Sequence, residues 1–193
     1  MRLLKLLTTG AVLFPAVFAA RAADHPPRGK AEHVVLIAWD GMRPDFVTAA
    51  NAPTLCQLAA RGTTFRNHHS VYPSLTNVNA TELATGVDPS RSGLIGNYEY
   101  RPALEPSHLV RTDEDATIAQ GDKLSGERYL AAPTIAEIVQ ANGGRCAVAG
   151  TKSAALLHNR NPVARSGSVT LFEGNALPSS ALAAVVQAIG PFP

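Results

Sequence analysis

Apolar and polar positions along this chain fall into short blocks with two different periods. Residues 33–39 form a nearly continuous apolar run that ends at Asp40-Gly41, the pattern of a strand buried on both faces of a parallel sheet. Asn51 offers a helix cap with Pro53 in the first turn, Leu55, Leu58 and Ala59 keep helical spacing, and Gly62 closes the block. Residues 63–71 predict a second strand. After the loop Tyr72-Pro73-Ser74-Leu75, a helix is predicted over residues 76–85 and stopped by Gly86. Residues 98–130 are polar with no clear period and read as a long surface excursion near the site. Regularity returns with a helix over about 133–141, carrying Ile135, Ile138 and Val139 on one face and stopped by Gly143-Gly144. Short strands are predicted at 146–149 and 169–172, and Ser180 caps a last helix running to about Ile189. This alternation predicts an α/β domain with a largely parallel sheet sandwiched by helices. There is no internal repeat and no low-complexity segment.

The first residues stand apart from that pattern. Arg2 and Lys5 precede an apolar block over residues 6–20, and Ala20-Arg21-Ala22 supplies a small-x-small cleavage site, so residues 1–22 read as a secretory signal peptide cut after Ala22. The block is shorter than the roughly 20 residues of a spanning helix, and no later stretch is apolar enough to span. An exported protein, periplasmic or secreted, is the expectation, with residues 23–32 as an exposed lead-in to a domain over 23–193. The formal charge of +2 belongs to the leader. Its removal takes three of the 17 basic residues and none of the 15 acidic ones, for a net of −1. No basic surface for nucleic acid is evident. With 193 residues and 46% hydrophobic content the chain can bury one core. Cys56 and Cys146 are its two cysteines, and in an oxidising compartment either one disulfide or two separately buried thiols fits the sequence.

Three short segments carry chemistry. Asp40 stands at the carboxyl end of the first predicted strand, where open α/β sheets place their ligand crevices, and its carboxylate is a hard anionic metal ligand. By itself, Asp-Gly after an apolar run is also an ordinary turn. Pro73-Ser74-Leu75-Thr76-Asn77-Val78-Asn79 puts the Thr76 hydroxyl at a helix N-terminus, beside free backbone N–H groups and the positive end of the dipole. That place favours a phosphate or a developing oxyanion, although a plain Thr cap reads the same way. A hydroxyl needs a metal or a base to become a useful nucleophile near neutral pH. Gly93-Leu94-Ile95-Gly96-Asn97 offers a loop amide that could donate to a phosphoryl oxygen. The pair His68-His69 is a surface or structural feature in this reading, because neighbours on a strand point to opposite faces. Arg43 and Asp45 pair or brace the loop after Asp40.

Order and spacing make these segments more specific together than apart. Asp-Gly-Met-Arg-Pro-Asp at 40–45, Asn-Ala-Pro-Thr-Leu at 51–55, Tyr-Pro-Ser-Leu-Thr at 72–76, Ala-Thr-Gly at 84–86 and Gly-Leu-Ile-Gly-Asn at 93–97 resemble the alkaline phosphatase superfamily, and within it the type I phosphodiesterase/nucleotide pyrophosphatase branch. The resemblance implies an alkaline phosphatase-like core and hydrolysis of a small-molecule phosphoester with two zinc ions. It implies Asp40 as a ligand of one zinc, Thr76 as the zinc-bound nucleophile and Asn97 as the donor to a phosphate oxygen. The sulfatase branch does not fit, since Cys56 is followed by Gln57-Leu58-Ala59 rather than its Pro and Arg. Phosphoglycerate mutases of the superfamily use Ser and are cytosolic, against Thr76 and the leader.

The chain also departs from that pattern. Nucleotide-cleaving members carry an aromatic residue after the nucleophile, where this sequence has Asn77; Pro-Asn-His reads Val78-Asn79-Ala80, and the usual His before Gly is Ser92. Thr-Asn-x-Asn is closer to phosphonoacetate hydrolases of the same superfamily, so C–P hydrolysis is the alternative expectation. The family's later zinc ligands are an Asp with a His four residues on, an Asp-His pair and a last His. No Asp here has a His four residues after it, the single Asp-His is Asp24-His25 ahead of the first strand, and His108 and His158 lack the partnering pattern. The last residues, Ile189-Gly190-Pro191-Phe192-Pro193, read like mid-loop. A truncated chain is therefore expected, with an inactive remnant or weak phosphate binder as the other function class. Oligomeric state is not legible in the sequence.

Overall fold

Pro53 and Gly62 bracket the first helix as their backbone chemistry dictates, Pro at the first helical position and Gly just past the end. This is α1 (Pro53–Arg61), and its last turn is closed by Gly62 N–H donating to Leu58 O at 2.8 Å. The computed structural model describes residues 31–161 and 167–192. The expected signal peptide and the first part of the lead-in, residues 23–30, lie outside the described residues. The chain divides into a segment up to Trp39 and a second unit from Asp40 onward.

In the first segment, the strand expected at residues 33–39 does not form. Val34 is 86% and Val35 81% exposed, and no ladder partner joins them among the described residues. The strand expected at 63–71 is likewise absent, with Phe65 exposed. Apolar β-branched sequence favours the extended backbone, but only a hydrogen-bonding neighbour makes a strand.

In the second unit, α2 (Thr76–Thr85) keeps the expected boundaries. Gly86 ends it in the left-handed conformation, φ 68°, which lets its N–H reach Glu82 O at 2.7 Å. The helix buries Asn77, Val78, Ala80, Thr81 and Ala84, a face of small residues that permits close approach. Against it packs the 3₁₀ turn Ser153–Leu157, all five residues of which are buried. The same turn touches strands β3 (Ala147–Gly150) and β4 (Val169–Phe172). Leu94, Leu156 and Leu157 are essentially inaccessible, and with Val78, Ile118, Tyr129, Leu130 and Phe172 they form the core.

The described strands form two small sheets. Strands β1 (Tyr98–Glu99) and β2 (Val110–Arg111) make an antiparallel pair. Strand β3 runs parallel to β4, in register from Ala147 opposite Val169 to Gly150 opposite Phe172. Strand β4 then folds back on β5 (Asn175–Leu177) through Glu173 and Gly174, both at positive φ, the hairpin geometry that matches strand twist. The fold is mixed α/β, with one parallel pair among the described strands.

Residues 98–130 correct the expectation of a surface excursion. They contain α4 (Asp115–Ser125), following the single-turn α3 (Pro89–Ser92), and bury Thr112, Asp113, Thr117, Ile118, Asp122, Tyr129 and Leu130. The helix escaped notice because its inward face is Thr117, Ile118, Gly121 and Asp122, with one aliphatic side chain among four. A Cβ built on Gly121 would stand 2.2 Å from Tyr129 Cδ2, so glycine is what lets the ring lie on the helix. The Tyr129 hydroxyl donates to Thr112 O at 2.8 Å, and the Arg101 guanidinium covers the ring. Helix α5 (Ile135–Ala141) starts with a capping box between Thr134 and Glu137. Its expected apolar face is reversed: Ile135 and Ile138 are half exposed, and Ala136 is the buried contact. After the 3₁₀ turn Ser179–Ala181, which takes up Ser180, α6 (Leu182–Ile189) closes the described chain. Cys56 and Cys146 are free thiols.

Candidate active site

Leu75, the residue before α2, has no side chain able to cap the helix, so the N–H groups of the first turn need acceptors from elsewhere. Asn97 supplies one, its Oδ1 accepting from Asn77 N–H at 2.9 Å. With its oxygen committed to the helix, the Asn97 amide turns its nitrogen the other way. Glu99 steadies the loop that carries it, Oε1 accepting from Ile95 N–H at 2.7 Å and Gly96 N–H at 3.0 Å while Oε2 binds Arg101. Thr112, fully buried, joins the two pieces. Its Oγ1 accepts from Asn77 Nδ2 at 3.0 Å and donates to Gly96 O at 2.7 Å, and its N–H donates to Asn97 O. Asn79 anchors the incoming loop, accepting from Val71 N–H and donating to Leu75 O.

Thr76 is thereby presented at the first position of α2, half-buried, with its hydroxyl donating to Asp40 Oδ2 at 3.2 Å. The two residues are 36 positions apart in sequence. Asp40 sits in a turn continued by Gly41 at φ 76°, not at the end of a strand as the sequence pattern suggested. Its Oδ2 also accepts from Lys152 Nζ at 2.8 Å. The Lys152 ammonium holds the Asp40 carboxyl below its ordinary value, partial burial opposes this, and the Thr76 hydroxyl adds to it. The structure therefore brings Asp40 and Thr76 together, and Asn97 one helical residue away through Asn77.

Lys152 was not found by sequence reasoning, although a signal existed: it follows β3, a strand in a parallel pair, at the carboxyl end where such sheets place ligand-binding side chains. Its backbone is pinned by the next residue. Ser153 N–H donates to Glu173 Oε1 at 3.2 Å, and Ser153 Oγ donates to Asp113 Oδ2 at 2.6 Å. Arg111 bridges both, 2.9 Å from Ser153 Oγ and 3.1 Å from Asp113 Oδ2. Burial pushes the Asp113 carboxyl up, but hydrogen bonds from Arg111, Ser153 and Asn77 more than offset it and leave it below its ordinary value.

His68 and His69 are exposed and lie outside this arrangement, and Arg43 pairs with Asp45, Nε to Oδ1 at 3.1 Å. His158 is half-buried, and desolvation lowers its pKa. As a donor set, one carboxylate and one hydroxyl oxygen 3.2 Å apart suit two neighbouring ligands of a single hard or borderline cation. Among the described residues, no group of three or more His, Cys, Asp or Glu side chains could hold a metal. The pair fits one side of an ion site, and the described residues add no further such ligand. No described helix is long and apolar enough to cross a membrane.

Comparison with known proteins covers this site. The family model for type I phosphodiesterase / nucleotide pyrophosphatase matches residues 34–170, well over half of the chain. Ectonucleotide pyrophosphatase/phosphodiesterase family member 1 of Rattus norvegicus is 27% identical over 95 residues, 48% of this chain and 10% of that protein. Its Homo sapiens counterpart is 29% identical over 82 residues, 42% of this chain and 9% of that protein. The chain thus spans about a tenth of the length of these relatives. No solved structure matches it. With a match that runs from Val34 to Thr170 and takes in Asp40, Thr76 and Asn97, the chain belongs to the type I phosphodiesterase / nucleotide pyrophosphatase family.

Proposed function

We propose that this chain carries the nucleophile end of an exported, zinc-dependent phosphoester hydrolase, with Thr76 as nucleophile, Asp40 as metal ligand and Asn97 as phosphate-oxygen donor. The observation that carries the reading is the 3.2 Å contact between Thr76 Oγ1 and Asp40 Oδ2 at the mouth of α2. Zinc bound by these two oxygens would lower the hydroxyl's pKa and offset charge on the phosphoryl group. The residues themselves do the positioning. Asp40 accepts the Thr76 hydroxyl and so fixes its rotamer, which leaves the oxygen lone pairs for an incoming phosphorus. The first turn of α2 directs its dipole at the same place, where added negative charge is stabilised. Asn97 offers its amide nitrogen from the adjoining loop, oriented because its oxygen is held by Asn77 N–H. Export rests on the leader pattern of residues 1–22.

Asn77 bears on the substrate. Its side chain is 3% exposed and committed to Thr112, so the position after the nucleophile presents no surface on which a nucleobase could stack. This favours a compact substrate over a nucleotide and supports, as a second reading, a phosphonate of the kind cleaved by phosphonoacetate hydrolases.

The test is zinc-supplemented hydrolysis of a nitrophenyl phosphodiester, and of phosphonoacetate in parallel, by this chain within a complete family domain. Thr76→Ala should abolish turnover and Thr76→Ser should keep part of it, since only a methyl is lost. Equal activity in Thr76→Ala overturns the nucleophile assignment. The 193-residue chain alone should turn over little, because a catalytic zinc generally takes three protein ligands.

A further inference from the structure

Thr112 and Asp113 follow β2 directly and are both buried, so Asp113 brings a negative charge inside the fold. A carboxylate withdrawn from water is costly unless its acceptor positions are filled. Here they are filled from three separate segments. Arg111 Nε donates to Oδ1 at 3.2 Å and Arg111 Nη2 to Oδ2 at 3.1 Å, and Ser153 Oγ donates to Oδ2 at 2.6 Å. Asn77, in the first turn of α2, adds a hydrogen bond from its side chain. The same amide donates to Thr112 Oγ1 at 3.0 Å, and its two N–H groups allow both bonds.

Two of these partners are chain neighbours of the residues that grip Asp40. Asn77 follows Thr76 and Ser153 follows Lys152, and Thr76 Oγ1 and Lys152 Nζ both donate to Asp40 Oδ2, at 3.2 Å and 2.8 Å. We propose that Asp113 is a positioning residue for the reaction: by holding Asn77 and Ser153 to one carboxylate, it fixes Thr76 against Asp40 and, through the Asn77 N–H, against the Asn97 amide. The proposal rests on the reading of Thr76 as nucleophile and Asn97 as phosphate-oxygen donor. Asp113 acts through its neighbours. An ionised acceptor suits the task, because hydrogen bonds to it are shorter and about twice as strong as neutral ones. The spacing between α2 and the turn after β3 is therefore set by a charge rather than by side-chain packing alone.

The test is amide hydrogen exchange in the 193-residue chain, read residue by residue by NMR, with inorganic phosphate as the probe of the site. Asp113→Asn keeps the shape of the side chain and turns one acceptor into a donor. It should speed exchange at the Asn77 and Ser153 N–H groups about tenfold more than at Ile138 and Ala131, whose bonds run to Thr134 O and Ser92 O. Ser153→Ala is the milder variant, and its loosening should carry across Asp113 to Asn77. Thr112→Val should loosen Asn77 and leave Ser153 as in wild type, since the Thr112 hydroxyl bonds to Asn77 and to the Asn97 loop. Phosphate, followed by amide shifts, should bind Asp113→Asn about fivefold more weakly than wild type, as for one donor held out of line. A uniform rise at all four amides, or no rise at Asn77 in either Asp113→Asn or Ser153→Ala, overturns the positioning role. Equal phosphate affinity in wild type and Asp113→Asn, where Asn97→Asp weakens it, overturns that role and leaves the site reading standing. No phosphate binding by wild type, or binding indifferent to Asn97→Asp, overturns the site reading and the positioning role with it.

Discussion

Asn97 reaches back twenty residues to cap the helix that begins at Thr76, its Oδ1 accepting the Asn77 N–H at 2.9 Å. The amide oxygen holds the helix; the proposed function gives the nitrogen to a phosphate oxygen.

Those duties separate by substitution. Asn97→Ala should lower stability by about 1 kcal/mol, as expected for a lost helix cap. Thermal unfolding would show this as a Tm drop of a few degrees. Asn97→Asp keeps an acceptor for Asn77 and should unfold close to wild type, yet bind inorganic phosphate more weakly, because a carboxylate repels the anion and the donor is gone. A large loss of stability in Asn97→Asp would show that the amide nitrogen, not the oxygen, anchors the loop.

Asp113 makes a prediction in pH. Its carboxyl is held below the ordinary value of 3.8 by Arg111, Ser153 and Asn77 acting against burial. A depressed folded pKa contributes stability that is fully present above the unfolded value and is lost as pH falls through the folded one. Acid should therefore weaken the wild-type protein progressively below about pH 4, a window set by the unfolded carboxylate. Asp113→Asn should be less stable near neutrality and show a flatter acid limb in urea titrations between pH 6 and 2.5. Parallel limbs in the two proteins would remove Asp113 from the account.

Gly121→Ala tests the packing of α4 on Tyr129. In an open helix this exchange stabilises, since alanine is the better helix former by about 1 kcal/mol. Here the new Cβ would stand 2.2 Å from Tyr129 Cδ2, so the ring or the helix must shift. Overpacking of that kind costs roughly 1–3 kcal/mol, and the net effect should be destabilising. A rise in Tm for Gly121→Ala would mean that the ring is free to move.

Export is checked at the N-terminus. The leader pattern of residues 1–22 expects mature protein beginning at Ala23. Mass spectrometry of secreted or periplasmic material should find that terminus, and an intact Met1 there would reject the cleavage reading.

Local chemistry was legible in the sequence by itself. The bounds of α2 follow from a loop with proline ahead and a glycine behind, and those of α1 from Pro53 and Gly62. Strand β4 was readable from a β-branched apolar block, and Asp40, Thr76 and Asn97 were singled out by residue types whose order and spacing resemble the family's. Each of these depends on neighbours a few residues away.

Only the tertiary structure decided the rest, because the partners lie far off in sequence. Residues 33–39 have the composition of a buried strand, but a ladder is a property of two segments, and no described segment pairs with them. Helix α4 hides because its inward face meets an aromatic ring and an arginine rather than a continuous apolar surface, so glycine and aspartate serve where leucine was expected. In the sequence Lys152 is legible only as a residue just past the strand predicted at 146–149, and its pairing with Asp40 is not. The parallel pairing of β3 and β4 and the Ser153–Asp113 anchor deliver its charge to Asp40. That placement gives Asp40 its own counter-ion.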